Sequence, residues 1–157
     1  MPILPITIYP TKSLREKSVP IEDPTTPEVQ ALIKDLYDTM VSAEGVGIAA
    51  PQVGKNIRLF LARTDNKRGF DVFINPRLSR KSLRKNTMEE GCLSVPGHYG
   101  LVRRHLAVTI HYTDEKGKER SERARGLFAR VLQHEFDHIE GVLFIDRTKK
   151  VEPPLPQ

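Results

Sequence analysis

One cysteine, Cys92, stands in 157 residues. No intramolecular disulfide can form, so a reducing, cytoplasmic setting is expected rather than a secreted one. No stretch approaches the roughly 20 apolar residues of a membrane-spanning helix. The start, MPILPITIYPTKSLREK, lacks a long apolar core behind a positive end and does not read as a signal peptide. A transit peptide removed ahead of it leaves organellar origin open. There is no internal repeat and no low-complexity domain. Acid is in the minority: the net charge is +5 and the pI about 9.4. The basic residues fall in small clusters, such as 77–85 and 120–130, with no basic helix interleaved with aromatics. The ordinary reading is a solvated basic surface, with RNA or a ribosomal surface as the other, and neither DNA nor a membrane is expected as partner.

What is present suits one catalytic domain over 1–150, followed by a proline-rich, loose tail over 151–157. With 38% hydrophobic and 29% charged residues, the chain is composed like a folded protein, large enough for a core without disulfides. Val29, Leu32, Ile33, Leu36 and Met40 make a helical stripe over 28–43, with Thr25 or Thr26 as N-cap and Pro27 in the first turn. Gly45 and Gly47 then open a glycine-rich loop. Strands are expected at 57–63 and 71–75, joined by the turn TDNKRG, with Asn75-Pro76 ending the second. The charged run RLSRKSLRKN reads as exposed strand or loop. LAVTIHY at 106–112 and RSERA form hairpin arms around TDEKGK. A second helix over 124–140 places Leu127, Val131, His134 and His138 on one inward stripe, and VLFIDR closes as a short strand or turn. Two helices among several short strands give an α+β class.

The strongest local signal is HEFDH at 134–138. Two histidines four apart share one helix face and can bind one ion, with Glu135 beside its open side. In zinc hydrolases the ion lowers the pKa of a bound water to about 7, and a nearby carboxylate moves its proton. Such a string also arises by chance in a charged helix. The downstream third ligand of many zinc proteases is missing, since Gly141 is followed by Val142, Leu143 and Phe144. Cys92, in EGCLSVPG, is the upstream candidate, although a lone cysteine is more often a small buried apolar residue. Cys-His-His leaves a fourth, tetrahedral position open. The third segment, GVGIAAPQVG, has neither GxGxxG nor GK[ST], which argues against a phosphate loop. Its useful group is Gln52, whose side-chain amide can donate to an oxyanion or merely cap a turn.

GVGIAAPQ at 45–52, EGCLS at 90–94 and QHEFDH at 133–138, in this order, resemble the peptide deformylases. The likeness extends through INP at 74–76, the 102–104 region and GVLFIDR at 141–147. The resemblance implies a hydrolase that removes the formyl group from the N-formyl-methionine of new polypeptides and releases formate. It implies mixed or antiparallel sheets around a central helix bearing HExxH. It makes Cys92, His134 and His138 the metal ligands, Glu135 the acid, and Gln52 with the Leu93 backbone N–H the oxyanion donors. One divalent ion per chain is implied, Fe(II) physiologically, with Zn, Ni or Co as replacements. Val46, Leu127 and Val131 would line a methionine pocket, with ordinary core packing as the other reading. Gly45 and Gly47 would hydrogen-bond an extended peptide, and Glu90 and Gly91 border the same site. Arg130 is expected to wall that pocket with its stem while its charge reaches water. Glu90 and Arg104 are expected to pair and order the Cys92 loop; Asp137 is a second acceptor near the ligands or a surface charge. His98, His105 and His111 are not expected as ligands. Without a long basic C-terminal helix, ribosome association by that route is not expected, although the ribosome stays a possible partner. Competing readings are a zinc endopeptidase, a deformylase-like deacylase of other N-acyl amines, and a basic RNA- or ribosome-binding protein with a structural metal.

Overall fold

Thr26 opens the first helix by accepting from the Val29 N–H, Pro27 takes the first turn, and α1 runs Pro27–Ser42. Val29, Ile33, Leu36 and Met40 are buried along it, as the stripe requires, and Leu32 is half-buried. The computed structural model describes residues 3–63 and 69–156; apart from Gly69, the turn expected at 64–69 lies outside them.

Strands β1 (Gly47–Ala49), β2 (Leu59–Ala62), β3 (Asp71–Ser79), β6 (Ala107–Thr113) and β7 (Glu119–Arg125) form one antiparallel sheet in the order β1-β2-β3-β6-β7. Strands β4 (Lys85–Cys92), β5 (Val95–His105) and β8 (Val151–Glu152) form a second. The second helix, α2 (Gly126–Ile139), is central: Phe128, Ala129, Leu132 and Ile139 pack with Phe60, Phe73, Val108 and Ile110 on one face of the larger sheet. Leu36, Met40 and Ile33 of α1 pack with Leu59, Leu61, Val72 and Ile74 on its other face. The side chains of β2 and β3 alternate between the two layers, the period of two that a strand dictates. This is the α+β architecture expected. No helix of the described residues is long and apolar enough to cross a membrane.

Three expectations change. Asn75-Pro76 does not end β3; the strand continues through a register shift between Ile74 and Arg77. Asn75 adopts φ 49° there, and its side chain bonds the Ile21 N–H and C=O. A bulge is where a sheet tolerates proline. The charged run does form exposed strand, as expected: it ends β3 and opens the edge strand β4. The supposed glycine loop is β1 followed by a 3-10 turn over Ala50–Val53, whereas VLFIDR holds a turn as expected, over Phe144–Asp146. The tail is not loose throughout: Val151 and Glu152 pair with Gly100 and Tyr99, and Leu155 packs against the cluster of Val95, Val102 and Phe144.

Candidate active site

Cys92 ends β4, and Leu93 and Ser94 turn the chain back into β5. That hairpin brings Cys92 to α2. The ligand atoms of Cys92, His134 and His138 lie within 4.8 Å of one another, and Cys92 Sγ is 3.3 Å from His138 Nε2. The stripe of Leu127, Val131, His134 and His138 is therefore the side of α2 turned toward the hairpin, not its core face. Leu127 is 59% exposed and rims the site, while His138 is 1% exposed at its floor. Burial pushes the Cys92 thiol up, but the neighbouring imidazoles, His138 foremost, hold it well below its ordinary value. A soft thiolate and two imidazoles so spaced fit one divalent ion of zinc or iron type. His98, His105 and His111 are outside the ligand cluster, bonded to Pro153 C=O, Ser82 C=O and two serines, although His98 lines the same cleft.

Glu90 fixes this arrangement. Its Oε1 accepts from His134 Nδ1 at 2.9 Å and Arg104 Nη2 at 2.8 Å, and its Oε2 from Arg104 Nε and Arg130 Nη1. A ligating histidine tied through one ring nitrogen is oriented with the other toward the ion. Burial raises the Glu90 carboxyl, and the hydrogen bonds from Arg104 and His134 overcome it, keeping the group ionised. Arg104 also donates to Asp137, which accepts from Arg147 as well. The expected Glu90–Arg104 pair is present. Asp137 bonds arginines rather than a ligand histidine. The expectation for Arg130 is corrected: its charge does not reach water, because its guanidinium bonds Glu90, the Val102 C=O, and the C=O and Oδ1 of Asn86 in a 5% exposed position. Sequence offered no signal for Asn86 or Arg147, whose partners lie far along the chain.

Glu135 is buried, its Oε1 has no partner among the described residues, and burial raises its pKa. A Cβ added to Gly47 would stand 2.6 Å from Glu135 Oε2. The glycine is needed for the close approach of the Glu135 carboxylate, not only of a ligand. Gly47→Ala is expected to displace Glu135 and lower kcat at least about tenfold, the cost of roughly 1.4 kcal/mol in the barrier, with the ion content unchanged by elemental analysis. Gln52 is oriented by the Ala49 N–H, which donates to its Oε1 at 2.9 Å. Its Nε2 is thereby aimed at Ser94 Oγ, 3.2 Å away, and Cys92 Sγ, 3.6 Å away. Ser94, buried and within the EGCLS segment, went unrecognised in the sequence; its own N–H donates to Cys92 Sγ.

These groups border a cleft of about 450 Å³ between the free edges of β1 and β4. Gly45, Val46, Gly47, Gln52, Leu93 and Glu135 line one part of it; Glu90, Gly91, Cys92, Arg130, Val131 and His134 line another. The Arg63 N–H bonds the Val46 C=O. Ladder alternation therefore turns the N–H and C=O of Gly47 toward the open edge. Gly45 departs from expectation: its N–H bonds Met40 C=O and its C=O accepts from Arg63 Nε. Glu90 likewise commits its carboxylate inward. A Cβ on Gly91 would stand 2.8 Å from the Tyr99 ring, which accounts for that glycine.

A family model described as polypeptide deformylase matches residues 3–154. The chain is 42% identical over 156 residues to a peptide deformylase of Rhizobium meliloti, covering 97% of this chain and 88% of that protein. It is 44% identical to one of Chlorobaculum parvum, covering 94% and 81%. The crystal structure of peptide deformylase from Thermotoga maritima superposes with a TM-score of 0.91 at 33% identity, covering 96% of this chain and all of that one (100%).

Proposed function

The chain belongs to the polypeptide deformylase family, metal-dependent hydrolases that release formate from the N-formyl-methionine of new polypeptides, and we propose the residues with which it does so. Cys92, His134 and His138 hold one divalent ion, Fe(II) in the cell and replaceable by Zn, Ni or Co. The observation that carries this reading is the convergence of these three ligand atoms within 4.8 Å beside a buried, unpartnered carboxylate. When bound, the ion supplies an acidified water and a Lewis acid for the formyl oxygen.

The chain's own groups do the rest. Gln52 Nε2, preset by Ala49 and Ser94, donates to the oxyanion that develops as the formyl carbon becomes tetrahedral. The Leu93 N–H, one residue past a ligand, is the second donor. Such donors act without reorganising at the moment of reaction. Glu135 Oε1 takes the water's proton and returns it to the departing amine. A raised pKa suits it to hold a proton between those two transfers. Leu127 and Val131 with the stem of Arg130 receive the methionine side chain, and Val46 covers it. The open edge of Gly47 pairs with the extended peptide, β-strand fashion. A reducing, cytoplasmic setting belongs to the same reading, because Cys92 has to stay a thiolate.

The test is formate release from a formyl-Met peptide by anaerobically purified, metal-loaded protein, with acetylated and unformylated peptides alongside. Release from the formylated peptide alone, lost on chelation and restored by the ion, supports the reading. Acetate release in preference to formate would identify a broader deacylase, and internal cleavage an endopeptidase. Gln52→Ala is expected to lower kcat about 10²–10³-fold, as loss of one oxyanion donor does, with the bound ion retained.

A further inference from the structure

Helix α1 packs on β1, β2 and the first residues of β3, where Val72 and Ile74 meet it, and so covers only one half of the larger sheet's outer face. On the other half, where β3, β6 and β7 run side by side, no described helix lies. Two cross-strand rows stand there, Arg77–His111–Ser121 and Ser79–Thr109–Arg123. His111 bonds Ser79 and Ser121, each at 2.7 Å. Arg125 follows on the same face of β7, and Arg80 and Arg84 of the β3–β4 connection border it. A shallow groove of about 360 Å³ runs past Arg77, His111, Arg120 and Ser121, with Glu119 as its one acidic lining residue.

Residues 77–85 and 116–125 carry ten Lys or Arg against two acids, an excess of eight. The whole chain carries +5, so everything outside these two segments is net negative by three. Six of the ten are arginine. Among the described residues Arg120 alone of the ten is ion-paired, to Asp114. Concentrated, unpaired arginine beside hydroxyl groups matches phosphate, which the guanidinium fork binds in two places. The two rows hold no Phe, Tyr or Trp, so unstacked bases would find no platform.

We propose that this bare half-face docks on the phosphate backbone of helical RNA. The choice of RNA rests on the reading that the substrate is a nascent chain, which the RNA-rich ribosome presents; the charge separation does not depend on it. Because the cleft opens at the free edge of β1, the strand at the opposite end of the sheet from β7, a docked enzyme keeps its active site open.

The test uses metal-loaded full-length protein and a short fluorescent RNA duplex, with affinity read across a salt series. One variant combines Arg77→Gln, Lys81→Gln, Arg84→Gln and Arg125→Gln. The control removes the same charge elsewhere through Lys12→Gln, Lys34→Gln, Lys55→Gln and Lys149→Gln. Both are expected to deformylate a free formyl-Met peptide as the wild type does, which also reports correct folding. The face variant is expected to bind RNA about tenfold or more weakly, with the slope of log affinity against log salt smaller by about three, as loss of several phosphate contacts dictates. The control is expected to keep most of the affinity. Equal losses in the two variants, no duplex binding by the wild type, or tighter binding to anionic lipid vesicles would each overturn the proposal, and none of these results bears on deformylation.

Discussion

Glu135→Gln is expected to keep the ion and lose the reaction, with kcat lowered about 10²–10⁴-fold, the range that general acid–base catalysis supplies. The amide matches the carboxylate in shape, so the close approach to Gly47 is preserved. The ligands Cys92, His134 and His138 and the Glu90 tie to His134 are untouched. What disappears is a group able to take a proton at a buried site where Oε1 meets no other partner. Formate release under single-turnover conditions, with the ion quantified in the same sample, separates this from metal loss. A variant that retained kcat within about threefold of wild type would remove Glu135 from the proton path.

Arg104→Leu is expected to cost about 3 kcal/mol of stability, the low end of the range for breaking a buried ion pair. Arg104 is 4% exposed and binds both Glu90 and Asp137. Without it the two carboxylates remain buried, each with a reduced set of donors: Arg130 and His134 for Glu90, Arg147 for Asp137. For a domain of this size the melting temperature should fall by about 6–12 °C, measured with the ion saturating. Glu90 would also orient His134 less firmly, and ion affinity should drop about 10–100-fold, as loss of such an outer partner typically does. A melting temperature within a degree or two of wild type would mean that Arg130 and Arg147 suffice, and that Arg104 is not the centre of the cluster.

Legibility followed distance along the chain. HEFDH was readable because the 3.6-residue period of a helix puts His134 and His138 on one face whatever surrounds it. Cys92 was readable as the single thiol in the sequence, and Glu90–Arg104 as neighbours of the motif. The helix face was legible only in part. Leu127 and Val131 allowed pocket or core in sequence; in the structure both line the cleft, and Phe128, Ala129 and Leu132 form the packed face. Both stripes have helical spacing, so periodicity could not choose between them. Arg130 was misjudged for a related reason: its buried charge is satisfied by Glu90, Asn86 and Val102, forty, forty-four and twenty-eight residues away.

The sequence by itself determined the two helices, the residue types able to bind an ion, and a composition suited to a folded core, since each depends on side-chain chemistry or local spacing. Only the tertiary structure decided which groups meet. The hairpin of β4 and β5 carries Cys92 to α2, Gly47 admits Glu135, Ser94 and Ala49 aim Gln52, and α1 stops short of a basic half-face. Apart from the local Ala49–Gln52 bond, these arrangements join segments whose separation along the chain carries no signal, made when strands pair and layers close over a shared core.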